Sequence, residues 1–179
     1  MYDPGTEGSL PIAYRGFRVE DASRLTRDEL QIAIGDTDKP GRERLYSIVR
    51  ELVSNAEKYG LQDGPPPQFE VNADHLGTYV EVISFGRLED VSKLEDVIRT
   101  YAFATDQELH ATEMQTIALN YQRKRSGEAD ISAGSAMVSG IGMLQVLRRS
   151  RTVDGRRAVE VRTDPVGNKL RVRVRAYVI

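Results

Sequence analysis

Between Lys39-Pro40 and Gly60, the apolar residues Leu45, Ile48, Val49, Leu52, Ala56 and Tyr59 recur at spacings of three and four. That period puts them on one stripe of an α-helix, and so regular a stripe has to be buried against another element. The spacing predicts an amphipathic helix over 41–59, entered after the proline and stopped by Gly60. The rest of the chain must supply the surface that covers it.

Several segments read as strands. Residues 12–19 alternate between two sides, as do 69–71 and 78–84, the latter two joined by a polar turn at 74–77 that suits an antiparallel pair. A last hairpin is expected from 158–163 and 169–178 around Asp164-Pro165-Val166-Gly167-Asn168. Helical signals separate these strands. Thr26 with Glu29 three residues later forms a capping box ahead of Leu30, Ile32, Ala33 and Ile34. Residues 88–103 carry Leu94, Val97, Ile98 and Tyr101, and 106–124 carry Leu109, Met114, Ile117, Ala118 and Tyr121; both helices are expected to cover a sheet. A stretch rich in Gly, Ser and Ala follows at 126–142, then a short helix at 143–150.

This order of elements implies an α/β (α+β) two-layer sandwich, with helices on one face of a mixed, largely antiparallel sheet. Residues 1–10 mix Gly, Pro and small polar groups and read as a flexible N-terminal segment ahead of a single domain over 11–179. The absence of cysteine excludes disulfides, thiolate metal sites and a cysteine nucleophile. Neither a signal-peptide pattern nor an apolar run of membrane-spanning length is present, so a cytoplasmic location without a membrane partner is expected.

Charge is unevenly distributed. From Arg148 onward there are ten basic and three acidic residues, a local net of +7, which leaves −9 for the remainder. An anionic ligand or an acidic partner could therefore dock toward the C-terminal end. Arg171, Arg173 and Arg175 alternate with Val172, Val174 and Ala176, which gives the last strand one basic and one apolar face; the simplest reading is the solvent side of an antiparallel sheet. Nucleic acid is disfavoured as a partner, because few aromatics interleave with these arginines and the rest of the chain is acidic. His75 and His110 have no carboxylate spacing that suggests a metal site, and Ser54 and Ser139 have no activating base by spacing.

Glu51, Asn55 and Lys58 fall along one stripe of the long helix, at i, i+4 and i+7. A carboxylate one turn from a carboxamide suits a phosphate site. The first can accept a proton from an attacking hydroxyl, the second is a hard oxygen ligand for Mg²⁺, and a lysine adds neutralising charge. Spacing alone favours a plain polar edge, with Asn55 bonded to a neighbouring loop, since such triples arise readily on amphipathic helices. A Gly-x-Gly at Gly140 and Gly142 opens the helix at 143–150; its amides could approach phosphate oxygens, or its glycines could simply turn the chain.

The string Arg50-Glu51-Leu52-Val53-Ser54-Asn55-Ala56-Glu57-Lys58-Tyr59-Gly60 resembles the N-box of the GHKL superfamily, which includes gyrase, histidine kinases and MutL. It is closest to the anti-sigma-factor serine-threonine kinases of that superfamily. The Gly140–Gly142 segment is similar in order and separation to the glycine-rich G2 box, and the element order over 45–179 looks most like the SiaB-type family. The resemblance implies an ATP- and Mg²⁺-dependent serine/threonine protein kinase acting on a small anti-anti-sigma-like protein in a bacterial-type signalling switch. It makes Glu51 the base, Asn55 the metal ligand, and Lys58, Ser84, Gly86, Gly140 and Gly142 nucleotide contacts. Most members carry Asp-x-Gly-x-Gly after the strand at 78–84, where this chain reads Ser84-Phe85-Gly86-Arg87. The alternative is a degenerate GHKL-fold interaction module with little or no nucleotide binding, and homodimer formation is left open by the sequence.

Overall fold

The computed structural model describes residues 17–26, 28–30, 39–61, 63–126 and 140–178. Predicted features at 1–16 and 31–36, and all of the glycine-rich stretch from 127 to 139, lie outside the described residues. The capping box is present: Thr26 N donates to Glu29 Oε2 at 2.9 Å, and Glu29 N donates to Thr26 Oγ1 at 3.2 Å. The predicted long helix is α1, Lys39–Tyr59. It starts at Lys39 because Pro40 is tolerated in a first turn, where its missing N–H would have no intrahelical partner.

Five strands pair antiparallel throughout, in the order β1-β2-β3-β7-β6. They are β1 (Phe17–Val19), β2 (Gln68–Asp74), β3 (Gly77–Gly86), β6 (Val159–Val166) and β7 (Lys169–Tyr177). Phe69 faces Val82 and Val71 faces Val80 across β2 and β3. These four side chains are buried in the core with Leu45, Ile48, Val49 and Leu52 of α1. Burial of each such side chain is worth roughly 1.5–3 kcal/mol, so this interface fixes how α1 lies on the sheet.

The other face of the sheet is polar and internally paired. Glu81 is 3% exposed and lies directly across from Arg175, which donates from Nε to Glu81 Oε1 at 3.0 Å. Arg175 also reaches Asp74 at 3.3 Å and stacks 3.8 Å from the Tyr79 ring centroid, while the Tyr177 hydroxyl donates to Asp74 Oδ2 at 2.8 Å. Arg171 and Arg173 both pair with Asp164 at 3.3 Å. The alternating arginines of β7 are thus held largely by acids of neighbouring strands, and Arg175 is drawn into a buried cluster rather than left in solvent.

The helices are α2 (Leu88–Thr100), α3 (Asp106–Arg125) and α4 (Gly140–Arg149). The chain bends at 101–103, where helix had been expected to continue. A small hairpin of β4 (Thr152–Val153) and β5 (Arg156–Arg157) follows α4, turned by Asp154 and Gly155 at φ 51° and 76°.

Three expectations need correction. α4 begins at Gly140 rather than Met143, so the Gly-x-Gly is its first turn. β6 continues through Pro165, and the turn narrows to Gly167-Asn168, because a proline can stay in the ladder of an edge strand. α3 packs on α4 rather than covering the sheet. Leu109 and Glu113 are its buried positions, whereas Met114, Ile117, Ala118 and Tyr121 are exposed. At about 100° per residue, the step from Leu109 to Met114 turns far off the buried stripe, so those residues belong to another face. Among the described residues, no helix is long and apolar enough to cross a membrane.

Candidate functional site

The stripe that seats α1 on the sheet leaves Glu51 and Asn55 on its flank, where α4 packs. α4 can approach closely because the third residue of its first turn is Gly142. A Cβ there would lie 2.7 Å from Glu51 Oε2, 3.3 Å from Asn55 Nδ2 and 3.4 Å from Asn55 Oδ1. The carboxylate and the carboxamide therefore rest directly against the α4 backbone, in space that any other residue would fill. Both side chains are half-buried, and among the described residues neither makes a hydrogen bond or ion pair.

Asn55 also lines a cavity between α1, α2 and the sheet. Ser84, Gly86, Tyr59, Asp90 and Met143 contribute to it, and Val82, Val172 and Val174 give it an aliphatic wall. Gly60 and Gly86 both line it. The end of α1 is pinned to the end of β3 by a bridge between Gly60 and Gly86 and by Leu61 N donating to Phe85 O at 2.8 Å. A Cβ at Gly60 would sit 2.4 Å from Ala56 O, and one at Gly86 would sit 3.2 Å from Val172 Cγ2. The Tyr59 hydroxyl is buried with no hydrogen-bond partner, which marks an unmet polar group at this cavity. Glu51 lines a separate, polar hollow one turn earlier on α1, with Arg44, Ser47 and Arg149.

The structure thus brings Glu51, Asn55 and Gly142 together, sets Ser84 and Gly86 on the same cavity as Asn55, and makes Gly140 the first residue of α4. Lys58 stands apart. It is exposed, with its ammonium 5.4 Å from the centroid of the Tyr59 ring, and it does not line the cavity. Asp90 and the Tyr59 hydroxyl were not singled out in the sequence. Attention to the carboxylate in the first turn after Gly86 would have found Asp90; Tyr59 reads only as an apolar member of the α1 stripe, and nothing in the sequence separates its hydroxyl from its ring.

The donor set fits a metal-bearing nucleotide. The first-turn amides of α4 have no partners within the helix and lie beside Asn55, the arrangement in which helix N-termini receive phosphate oxygens. Among the described residues, no cluster of three or more His, Asp or Glu could hold a metal by itself. Mg²⁺ commonly needs only one or two protein oxygens when phosphates supply others, and Asn55 offers one. The cavity encloses about 90 Å³, against roughly 300–1,000 Å³ for typical ligand sites, so it suits a ring rather than a whole nucleotide.

No family model and no curated protein sequence matches the chain. At the level of fold it is similar to a chain in the crystal structure of the SiaB-SiaC complex from Pseudomonas aeruginosa, with a TM-score of 0.61 and 11% identity. That similarity covers 92% of this chain and 91% of the other, so the two share an architecture over nearly their whole lengths. The fold, an α+β sandwich with helices packed on an antiparallel sheet, is SiaB-like.

Proposed function

We propose that the chain is a SiaB-type GHKL serine/threonine protein kinase that uses Mg²⁺ and ATP to phosphorylate a small, anti-anti-sigma-like protein partner. The observation that carries this reading is the seating of Glu51 and Asn55 against the Gly142 backbone, with Asn55 also lining the cavity that holds Ser84, Gly86 and Asp90. A chain with a similar fold was crystallised as part of a two-protein complex, which supports a protein partner.

When bound, Mg-ATP supplies the phosphoryl group and the cation that offsets its charge. Asn55 would hold the metal with its amide oxygen, and the first-turn amides of α4 would donate to phosphate oxygens. Glu51 accepts the proton of the partner's hydroxyl as its oxygen bonds to phosphorus and ADP departs. The apolar wall of Val82, Val172 and Val174 takes the base. Asp90 offers a carboxylate to an exocyclic amine, while Ser84 and the Tyr59 hydroxyl hydrogen-bond the rest of the ring edge. Asp90 thereby does from the start of α2 what the superfamily's aspartate does from the end of the preceding strand.

Calorimetric titration with ATP, with and without magnesium, tests the reading. Wild type is expected to bind only with magnesium and Asn55→Ala to lose that binding, whereas Glu51→Gln should retain nucleotide and lose transfer by about a hundredfold or more. No binding to wild type at millimolar ATP would leave the degenerate interaction module, a reading favoured by the small volume of the cavity.

A further inference from the structure

The polar hollow in which Glu51 lies continues into a second groove through two shared residues, Arg44 of α1 and Arg149 at the end of α4. That groove, about 840 Å³, is lined by Arg44, Arg148, Arg149, Arg151 and Arg157, with Asp106 as its one acid. Cations at the end of α4 could be explained by its dipole alone. That accounts for Arg148 and Arg149 but not for Arg44, from the opposite helix, or Arg157, from β5. Like charges gathered from three elements repel one another unless something neutralises them.

Neutralisation within the chain is partial. Arg157 pairs with Asp106 and Arg148 with Glu113, the latter at 3.4 Å. Arg149 donates to the neutral amide of Gln145 at 3.1 Å, and Arg151 donates to the Leu76 carbonyl at 2.7 Å. Among the described residues, Arg44 has no hydrogen bond or ion pair. Arg44 and Arg149, neither of which pairs with a carboxylate among the described residues, are also the two that bridge the groove to Glu51.

We infer that this groove receives an acidic segment of the protein partner, with the acceptor serine or threonine at Glu51 and carboxylates beside it on Arg44 and Arg149. This rests on the kinase reading for the acceptor, but the docking itself does not. Guanidinium forks match carboxylates in paired hydrogen bonds, and both arginines sit on helices, so their forks are held by rigid backbone. A nucleic acid is the poorer fit, since Tyr46 is the one aromatic that lines either hollow.

The test is fluorescence anisotropy of a labelled serine peptide flanked by glutamates, against its glutamine counterpart, with the full chain and no nucleotide. The glutamate peptide should bind at least about tenfold more tightly, and Arg44→Glu/Arg149→Glu should remove at least about tenfold of that affinity. Arg44→Gln/Arg149→Gln, which only deletes charge, guards against misfolding of the reversal and should lose affinity in the same direction. A smaller preference, no loss in either variant, or tighter binding of a single-stranded oligonucleotide overturns the proposal. Because the titration omits ATP, a failed kinase reading leaves its result intact, and fluorescent ATP binding by the same variants should stay at the wild-type level.

Discussion

At Gly142 an added methyl group would meet the tip of Glu51 at 2.7 Å, before it met any backbone. A carboxylate at the end of a flexible side chain can swing aside, and alanine is favoured over glycine inside a helix by about 1 kcal/mol. Gly142→Ala should therefore leave stability unchanged or raise it by up to about 1 kcal/mol in urea denaturation, yet lower phosphoryl transfer roughly tenfold or more by displacing the base. A clear loss of stability would mean that the methyl strikes the helix frame instead. Asp74 permits a prediction of a different kind. Burial pushes its carboxyl up, but the Tyr177 hydroxyl, the Leu76 amide, Arg175 and His75 pull harder the other way and hold it below the ordinary aspartate value. A carboxyl lowered in the folded state adds stability that is present above its unfolded value, about 3.9, and is lost as pH falls through the folded value. The urea midpoint of wild type should thus fall more steeply below about pH 4 than that of Asp74→Asn, and parallel profiles would remove Asp74 from the account of acid sensitivity.

Among the elements, α3 divides cleanly into two faces. Leu109 is fully buried beneath it, so Leu109→Ala should cost about 2–5 kcal/mol in chemical denaturation. Ile117, 42% exposed, should tolerate serine to within about 1 kcal/mol. If the two substitutions cost the same, Leu109 and Ile117 do not lie on different faces of α3. α3 also marks the boundary of what the chain's pattern makes legible. For α1, apolar period and burial agree, because one stripe meets one sheet. α3 carries two apolar stripes, and periodicity cannot say which of them finds α4; that is decided by Glu113, buried through its bonds to Gln145 and Arg148. The hairpin around Asp154-Gly155 escaped notice for a similar reason, since strands of two residues carry no alternation to read. Pro165 misled in the opposite sense, because a turn-forming residue inside β6 is tolerated only through that strand's place at the sheet edge, which a linear pattern does not contain.

At the scale of the whole molecule, the candidate site joins parts that are distant in sequence: the middle of α1, the end of β3 and the start of α4. A ligand that touches all three binds the folded chain alone and must stabilise it globally. At a hundred times its dissociation constant that amounts to about 2.7 kcal/mol, or roughly 5–10 °C in melting temperature for a chain of this size. Scanning fluorimetry should register the rise with ATP and magnesium together, and Asn55→Ala should abolish it. The site itself was only half written in the chain. Glu51 and Asn55 stand out because helical spacing aligns them, whereas Asp90 comes to the Asn55 cavity only once α2 is laid beside α1, and the unpaired Tyr59 hydroxyl shows only when its surroundings are known. The charge imbalance was visible from the start, but folding splits it: the arginines of β7 turn toward Asp164, Glu81 and Asp74, and those after α4 gather in the groove.

Pro165 has one more consequence. A proline kept within the ladder of an outermost strand must turn its nitrogen away from β7, so the free border of the sheet lacks a donor there and presents a ring instead. A further strand that tried to add itself along β6 would lose its register at that point, and it would already have met the alternating charges of Glu160, Arg162 and Asp164. The border so equipped resists edge-to-edge pairing of further strands along β6.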